Sequence, residues 1–273
     1  MKAVLYIGHG TRVKEGVRQY EAFIEKVKAA IDVPIQQHCF IELAEPSIQA
    51  GIDTCVERGA TEIAIVPVLL LAAGHAKLDI PEEIDEAKEK HPSVTFRYGR
   101  VIGIDQRMVN MVVDRLYEAG FPQQQLTDIE KREDIAILLV GRGSSDPDAN
   151  SDLAKLARLI WEAVPVDVVE TCYLAATKPS FDDGLDRVKR MSNKKVYVLP
   201  YLLFTGLLMK QMAVKIEKLQ EDLGDRSIHL CDYLGYHPTL IDIIADRVEE
   251  LLEDNVRVNC DACKYRFAAI ASK

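Results

Sequence analysis

The sequence predicts an α/β protein of two similar domains, each a parallel β-sheet flanked by helices, with a cleft between them. Three observations predict this. Short apolar runs alternate with segments whose apolar residues recur every three or four positions, the βαβα pattern of a parallel sheet. The run 63–71 is apolar almost throughout, as a strand covered on both faces must be. The chain also repeats itself. Tyr6-Ile7-Gly8-His9-Gly10-Thr11-Arg12 resembles Leu139-Val140-Gly141-Arg142-Gly143-Ser144-Ser145. Gly8 and Gly141, Pro46 and Pro179, Gly51 and Gly184, and Pro67 and Pro200 are each 133 residues apart. Gly103 and Gly235, 132 apart, nearly keep that register. Chance similarity does not hold one offset over such a length, so the chain is a duplicated domain rather than a short-period solenoid.

Taken in order, residues 3–7 are the first strand, ending in a glycine turn at Gly8 and Gly10. Val17, Tyr20, Phe23, Val27 and Ile31 follow at helical spacing. Residues 34–41 are the second strand; Ile48, Ile52, Cys55 and Val56 mark the second helix; 63–71 is the third strand. Asp79-Ile80-Pro81-Glu82 reads as a helix start, with Asp79 as cap and Glu82 closing a capping box. Residues 94–98 give a fourth strand and 108–116 a closing helix. The second half repeats the plan, with strands at 135–140, 166–172, 196–204 and 228–233. The connector 121–134 is polar, with Pro122 and three consecutive Gln, and marks the boundary. The predicted domains are 1–122 and 133–256, followed by a tail, 257–273.

Apolar residues make up 48% of the 273 and charged residues 28%, a soluble globular profile with length enough for two cores. A net charge of -9 and the absence of any Lys/Arg run exclude a nucleic-acid groove. The longest apolar stretch contains Pro67 and is too short to span a bilayer as a helix. The opening residues, interrupted at Gly8, read as a buried strand and not as a signal peptide. A cytoplasmic protein with no nucleic-acid or membrane partner is expected. Cys39, Cys55, Cys172 and Cys231 stand singly in apolar contexts and read as buried thiols.

His9, Glu42 and His75 each fall just past the carboxyl end of a predicted strand, where ligands gather in such sheets. Two imidazoles and a carboxylate suit Fe, Co, Ni or Zn better than Mg or Ca, and three protein ligands leave coordination positions open. The duplication is an internal control. Residues 133 further on are Arg142, Ala175 and Leu208, so all three ligands vanish together while the surrounding glycines and prolines persist. One metal site in the N-terminal half is expected. His38, His91 and His229 read as surface or structural, and His237, ahead of Pro238, as a residue heading a helix with no acidic or imidazole partner. Arg142, Ser144 and Ser145 place a cation and two hydroxyls at a predicted helix start, either to bind an anion or, through Ser145 or Asp146, to cap the helix. Arg12 and Lys77 lie beside the two histidines in sequence, as contacts for substrate carboxylates or as plain surface charges. Cys260 and Cys263 form a CxxC pair in the tail, which can bind metal, form a disulfide or act as a redox couple. Two thiolates do not complete a four-ligand site.

At these residues the sequence resembles the class II tetrapyrrole chelatases. Leu5-Tyr6-Ile7-Gly8-His9-Gly10-Thr11-Arg12 resembles their GHGSR-type opening, with Thr11 in place of Ser. Gly74-His75-Ala76-Lys77-Leu78-Asp79-Ile80-Pro81 resembles their second histidine motif. Gly141-Arg142-Gly143-Ser144-Ser145 and Pro200-Tyr201-Leu202-Leu203-Phe204 resemble the second half of the long sirohydrochlorin chelatases. The resemblance implies a lyase that inserts Co(II) or Fe(II) into sirohydrochlorin on the way to cobalamin or sirohaem. It implies His9 and His75 as the family's histidines and Glu42 as their acidic partner, as metal ligands, proton acceptors or both in sequence. It implies a monomer, because both domains lie on one chain, with a dimer as the alternative. Some long cobalt-type members carry a comparable Cys-containing tail associated with an iron–sulfur cluster, which is the role the resemblance suggests for Cys260 and Cys263. The alternatives are a metal or tetrapyrrole carrier without turnover, and a nickel chelatase.

Overall fold

A computed structural model describes residues 1–122 and 133–253. The first half contains β1 (Lys2–Gly8), α1 (Lys14–Ala29), β2 (Ile35–Phe40), α2 (Ile48–Glu57), β3 (Glu62–Pro67), a π-helical turn (His75–Asp79), α3 (Ile80–Lys90), β4 (Thr95–Tyr98) and α4 (Gln106–Glu118). The second contains β5 (Glu133–Gly141), α5 (Pro147–Ala163), β6 (Val166–Tyr173), α6 (Phe181–Arg190), β7 (Lys195–Pro200), α7 (Leu207–Asp222), β8 (Ser227–Leu230) and α8 (Pro238–Leu252). Each half builds one four-stranded parallel sheet, in the orders β2-β1-β3-β4 and β6-β5-β7-β8. The predicted pair of parallel-sheet domains is present.

The central strands are buried on both faces, which is why they read as continuous apolar runs. Ala3, Leu5 and Ile7 of β1 and Ile63 and Ile65 of β3 meet Ile48, Ile52 and Cys55 of α2 and Ile80, Ile84 and Ala87 of α3. Ala136, Leu138 and Val140 repeat that layer against α6 and α7. Three predicted strands run too long. The run 63–71 leaves the sheet at Pro67, the run 196–204 at Pro200, and the run 228–233 at Leu230. For β3 and β7 the central neighbours β1 and β5 end within a residue of Pro67 and Pro200, so those two ladders have no central partner to continue with. The apolar residues beyond bridge loops instead: Ile102 and Gly103 donate to the carbonyls of Leu69 and Leu70, and Leu234 and Gly235 to those of Leu202 and Leu203.

Packing does not follow the repeat. One compact unit is Met1–Gly103 with the chain from Leu240; the other is Ile104–Thr239. By packing, the closing helix of each repeat groups with the other repeat's sheet: α8 with the first unit and α4 with the second. In the first unit the absent Cβ of Gly99 makes room for Leu251, whose Cδ1 would lie 2.9 Å from it. Arg247 of α8, 2% exposed, donates to the carbonyls of Val101 and Ile102 and pairs with Glu250. In the second unit Tyr197 donates its hydroxyl to the Gly120 carbonyl at 2.9 Å and rests against Phe121, just past α4.

Cys39, Cys55, Cys172 and Cys231 are buried and free, as expected. Burial pushes the Cys55 thiol up to about 11 and those of Cys172 and Cys231 up to about 12. Cys260 and Cys263 lie outside the described residues. Among the described residues no helix is long and apolar enough to cross a membrane.

Candidate metal centre

His9 leaves the end of β1 and Glu42 the end of β2, and Gly10 sets them side by side. Its φ is +90°, and a Cβ there would stand 1.8 Å from the Glu42 carbonyl oxygen, so only glycine allows the two loops to close. The amide of Glu42 donates to the His9 carbonyl at 3.2 Å and that of Ile41 to the Gly8 carbonyl at 2.9 Å. His75 opens the π-helical turn, where the Ile80 amide reaches back five residues to the His75 carbonyl. Tyr98 donates its hydroxyl to the Ala76 carbonyl at 2.7 Å and fixes the turn against β4. Such turns recur at functional sites because they rotate side chains off the regular helical path.

The three predicted ligands meet. Glu42 Oε1 lies 3.8 Å from His9 Nε2 and 4.0 Å from His75 Nε2. The two rings stand edge to face, 4.8 Å between centroids and 89° between planes. One donor atom from each residue falls within 4.8 Å of the others. All three side chains are partly open to solvent.

Both ring tautomers follow from the partners. His9 Nδ1 sits 3.2 Å from the Gly10 carbonyl, which can only accept, so Nδ1 carries the proton. His75 Nδ1 sits 2.5 Å from Asp79 Oδ2, a carboxylate that accepts in the same way. Each ring therefore turns its Nε2 lone pair toward the same oxygen of Glu42, the arrangement of histidines held by outer acceptors around a metal. An ion with ligands at about 2.1 Å spans at most about 4.2 Å between two of them. The two imidazole–carboxylate spacings fall inside that span while the set as a whole reaches 4.8 Å, so the three side chains suit a first-row divalent ion once they draw slightly closer, with positions left over.

Asp79 corrects the sequence reading. Its backbone is already helical (φ -64°, ψ -46°) and its side chain makes no capping bond. The helix continues out of the π-helical turn and has no free start to cap, so neither the Asp79 cap nor the capping box forms. The signal for its true role was the His75-to-Asp79 spacing, which one helical turn brings side by side. His237 is a second correction. Its Nε2 lies 3.3 Å from Asp114 Oδ2, an acidic partner supplied by α4, while Nδ1 accepts from the Thr239 amide at the head of α8. His91 meets Asp53 at 2.8 Å and His229 stacks on Tyr197, both in structural settings. His38 lies half-buried beside Tyr20 and Phe40.

The second repeat keeps the frame without the ligands. Gly143 has φ +87°, a Cβ there would stand 2.0 Å from the Ala175 carbonyl oxygen, and the Ala175 amide donates to Arg142. Leu43 and Ala176 share a positive φ. Arg142 is exposed, and Leu208 lies in α7, which starts without a π-helical turn. Asp146 is the helix cap of α5, accepting from the Asp148 amide; the Ser144 hydroxyl accepts from the Asp146 amide; Ser145 is exposed. Arg12 is exposed ahead of α1, and Lys77 is half-buried in the π-helical turn. Arg12 and Lys77 belong to the unit of the three ligands, and Arg142, Ser144 and Ser145 to the other.

The CbiX family model matches residues 3–119 and again residues 136–251. The chain is 49% identical over 252 residues to the sirohydrochlorin ferrochelatase of Priestia megaterium, covering 92% of this chain and 91% of that protein. It is 43% identical over 269 residues to the sirohydrochlorin cobaltochelatase of the same organism, covering 98% and 85%. Among solved structures, SirB from Bacillus subtilis with Fe3+ superposes with a TM-score of 0.80 at 41% identity, covering 92% of this chain and 95% of that one. The sirohydrochlorin chelatase SirB from Bacillus subtilis subspecies spizizenii in complex with cobalt gives 0.78 at 37%, covering 93% and 96%.

Proposed function

The chain belongs to the CbiX family, and from that premise we propose that it is a sirohydrochlorin chelatase, a lyase that inserts Co(II) or Fe(II) into the macrocycle. The observation that carries the reading is the convergence of two Nε2 atoms on one oxygen of Glu42.

Insertion removes two pyrrole N–H protons and strips water from the ion. His9, Glu42 and His75 are the residues to receive the metal substrate. Their donors spread to 4.8 Å, wider than a closed site, which suits an ion that must be passed on. A proton arriving at His75 Nε2 leaves an imidazolium whose Nδ1–H already points at a carboxylate, and Asp79 stabilises that charge. His9 Nδ1 faces the neutral carbonyl of Gly10. The division of labour we infer is His75 as proton acceptor and His9 and Glu42 as the ligands that hold the ion longest. Arg12 and Lys77, in the unit of the three candidate ligands, supply cations suited to the carboxylates on the macrocycle rim. Two imidazoles and a carboxylate accept either metal, and relatives with the two activities are similarly close in sequence. The four buried free thiols favour a reducing cytoplasmic setting, and both repeats on one chain favour a monomer.

The test is anaerobic absorbance of sirohydrochlorin with catalytic protein and excess Co(II) or Fe(II). Many turnovers per chain are expected. A spectral change that stops at one equivalent of protein would make the chain a carrier.

A further inference from the structure

We propose that Leu43 and Leu78 form the apolar surface on which the flat face of the macrocycle lies while the metal enters. The proposal rests on the chelatase reading and adds to it the residues that recognise the ring itself.

Leu43 follows Glu42 directly and is 46% exposed; Leu78 lies three residues after His75 in the π-helical turn and is 38% exposed. Glu42 Oε1 lies within 4.0 Å of both rings, so Leu43 and Leu78 each belong to a loop that supplies a residue to this one site. Among the described residues five large apolar side chains are exposed, and two of them, Leu43 and Leu78, lie in the loops that carry Glu42 and His75. Leu43 is placed against its conformational preference as well. Its φ is +63°, in the left-handed region where a branched side chain is disfavoured and Gly or Asn is at home.

The second repeat separates frame from function. Ala176 holds the same backbone position at φ +60°, so the loop requires the conformation but not a leucine. The residue 133 beyond Leu78 is Gln211. Both apolar side chains are thus lost where the three ligands are lost.

The chemistry names the occupant. To receive a metal from Nε2 and Oε1, a tetrapyrrole must turn its flat face, not its carboxylate rim, toward the ligands. That face is conjugated and apolar. Side chains beside the ligands lie under it, and an aliphatic group there gains dispersion contact and removes apolar surface from water.

The experiment substitutes polar residues that suit the backbone or the repeat: Leu43→Asn, Leu78→Gln and the double variant. Two quantities are read, the KM values for sirohydrochlorin and Co(II) during turnover, and direct binding of sirohydrochlorin to metal-free protein by its fluorescence. KM for the macrocycle and its dissociation constant should each rise about fivefold or more in the double variant, as the loss of large apolar contacts predicts. Co(II) binding should be unchanged, and the Tm of Leu43→Asn should hold or rise, because Asn tolerates the left-handed backbone. A purely structural role predicts the opposite: a lower Tm with macrocycle binding intact. Unchanged macrocycle binding in the double variant overturns the proposal. Wild-type protein that binds sirohydrochlorin without inserting metal overturns the chelatase reading alone, and the leucine contribution is then read from the binding constants.

Discussion

His75 Nδ1 stands 2.5 Å from the Asp79 carboxylate, which can only accept, four residues further along a turn of π-helix. The contact fixes which nitrogen of His75 faces Glu42 and sets a carboxylate behind any charge the ring acquires. Its removal leaves the imidazole free to rotate and to change tautomer. Asp79→Ala should therefore weaken Co(II) binding or turnover by about ten- to a hundredfold, the usual effect of losing an outer partner of a metal-site histidine. Co(II) titration and initial rates on protein with a native circular-dichroism spectrum check this; wild-type values would remove Asp79 from the site.

His9→Ala and His75→Ala should each reduce chelation by at least about tenfold, the lower range for acid–base and ligand groups. Initial rates under anaerobic conditions are the measurement. A folded His75→Ala protein of unchanged rate would sink the assignment of the site.

The paired glycines give a sharper comparison. A methyl on Gly10 or Gly143 meets a carbonyl oxygen at 1.8 or 2.0 Å, on a backbone with φ near +90°. Gly10→Ala and Gly143→Ala should both lower stability by about 1–3 kcal/mol, as left-handed strain and a forced loop shift require. Only Gly10→Ala displaces Glu42 from His9, so only it should weaken Co(II) binding. Equal loss of metal binding in both variants would contradict this.

Crystals soaked in Co(II) should show an ion at His9, Glu42 and His75 and none at Arg142, Ala175 and Leu208. An ion coordinated at Arg142 and its neighbours, with His9 bare, would reverse the assignment of the two repeats.

A chain ending after Leu252 should fold and insert metal, because His9, Glu42 and His75 all lie in the first repeat, far ahead of Cys260 and Cys263 in the chain. Rates of the full and shortened chains with Fe(II) and Co(II) decide it. An intact fold with abolished insertion would bring the tail into the mechanism.

The fold was legible because parallel strands buried on both faces, such as β1 and β3, write themselves as apolar runs, and because Gly10 and Gly143 answer to one backbone need in both repeats. The candidate ligands were picked out by where they stand on strand ends and by their joint replacement at Arg142, Ala175 and Leu208, and the structure brings the three together. Asp79 was misread because Asp before Ile-Pro is also a helix-start pattern, and only the π-helical turn, invisible to periodicity, distinguishes the two. The pairing of His237 with Asp114 depends on helix packing across 123 residues, which local sequence does not encode. The ends of β3, β7 and β8 were overrun because apolar residues continue past the last ladder bond.

The exchange of closing helices sets an order of events during synthesis. The sheet that carries His9, Glu42 and His75 is made first, yet α8, with Arg247 and Leu251, leaves the ribosome only after the entire second repeat. The second sheet already has its closing helix, α4, before its own first strand is made. The half that carries the candidate metal centre is thus the earlier to begin folding and the later to finish, and cutting the gene at the repeat boundary would yield two pieces, each carrying the other's last helix.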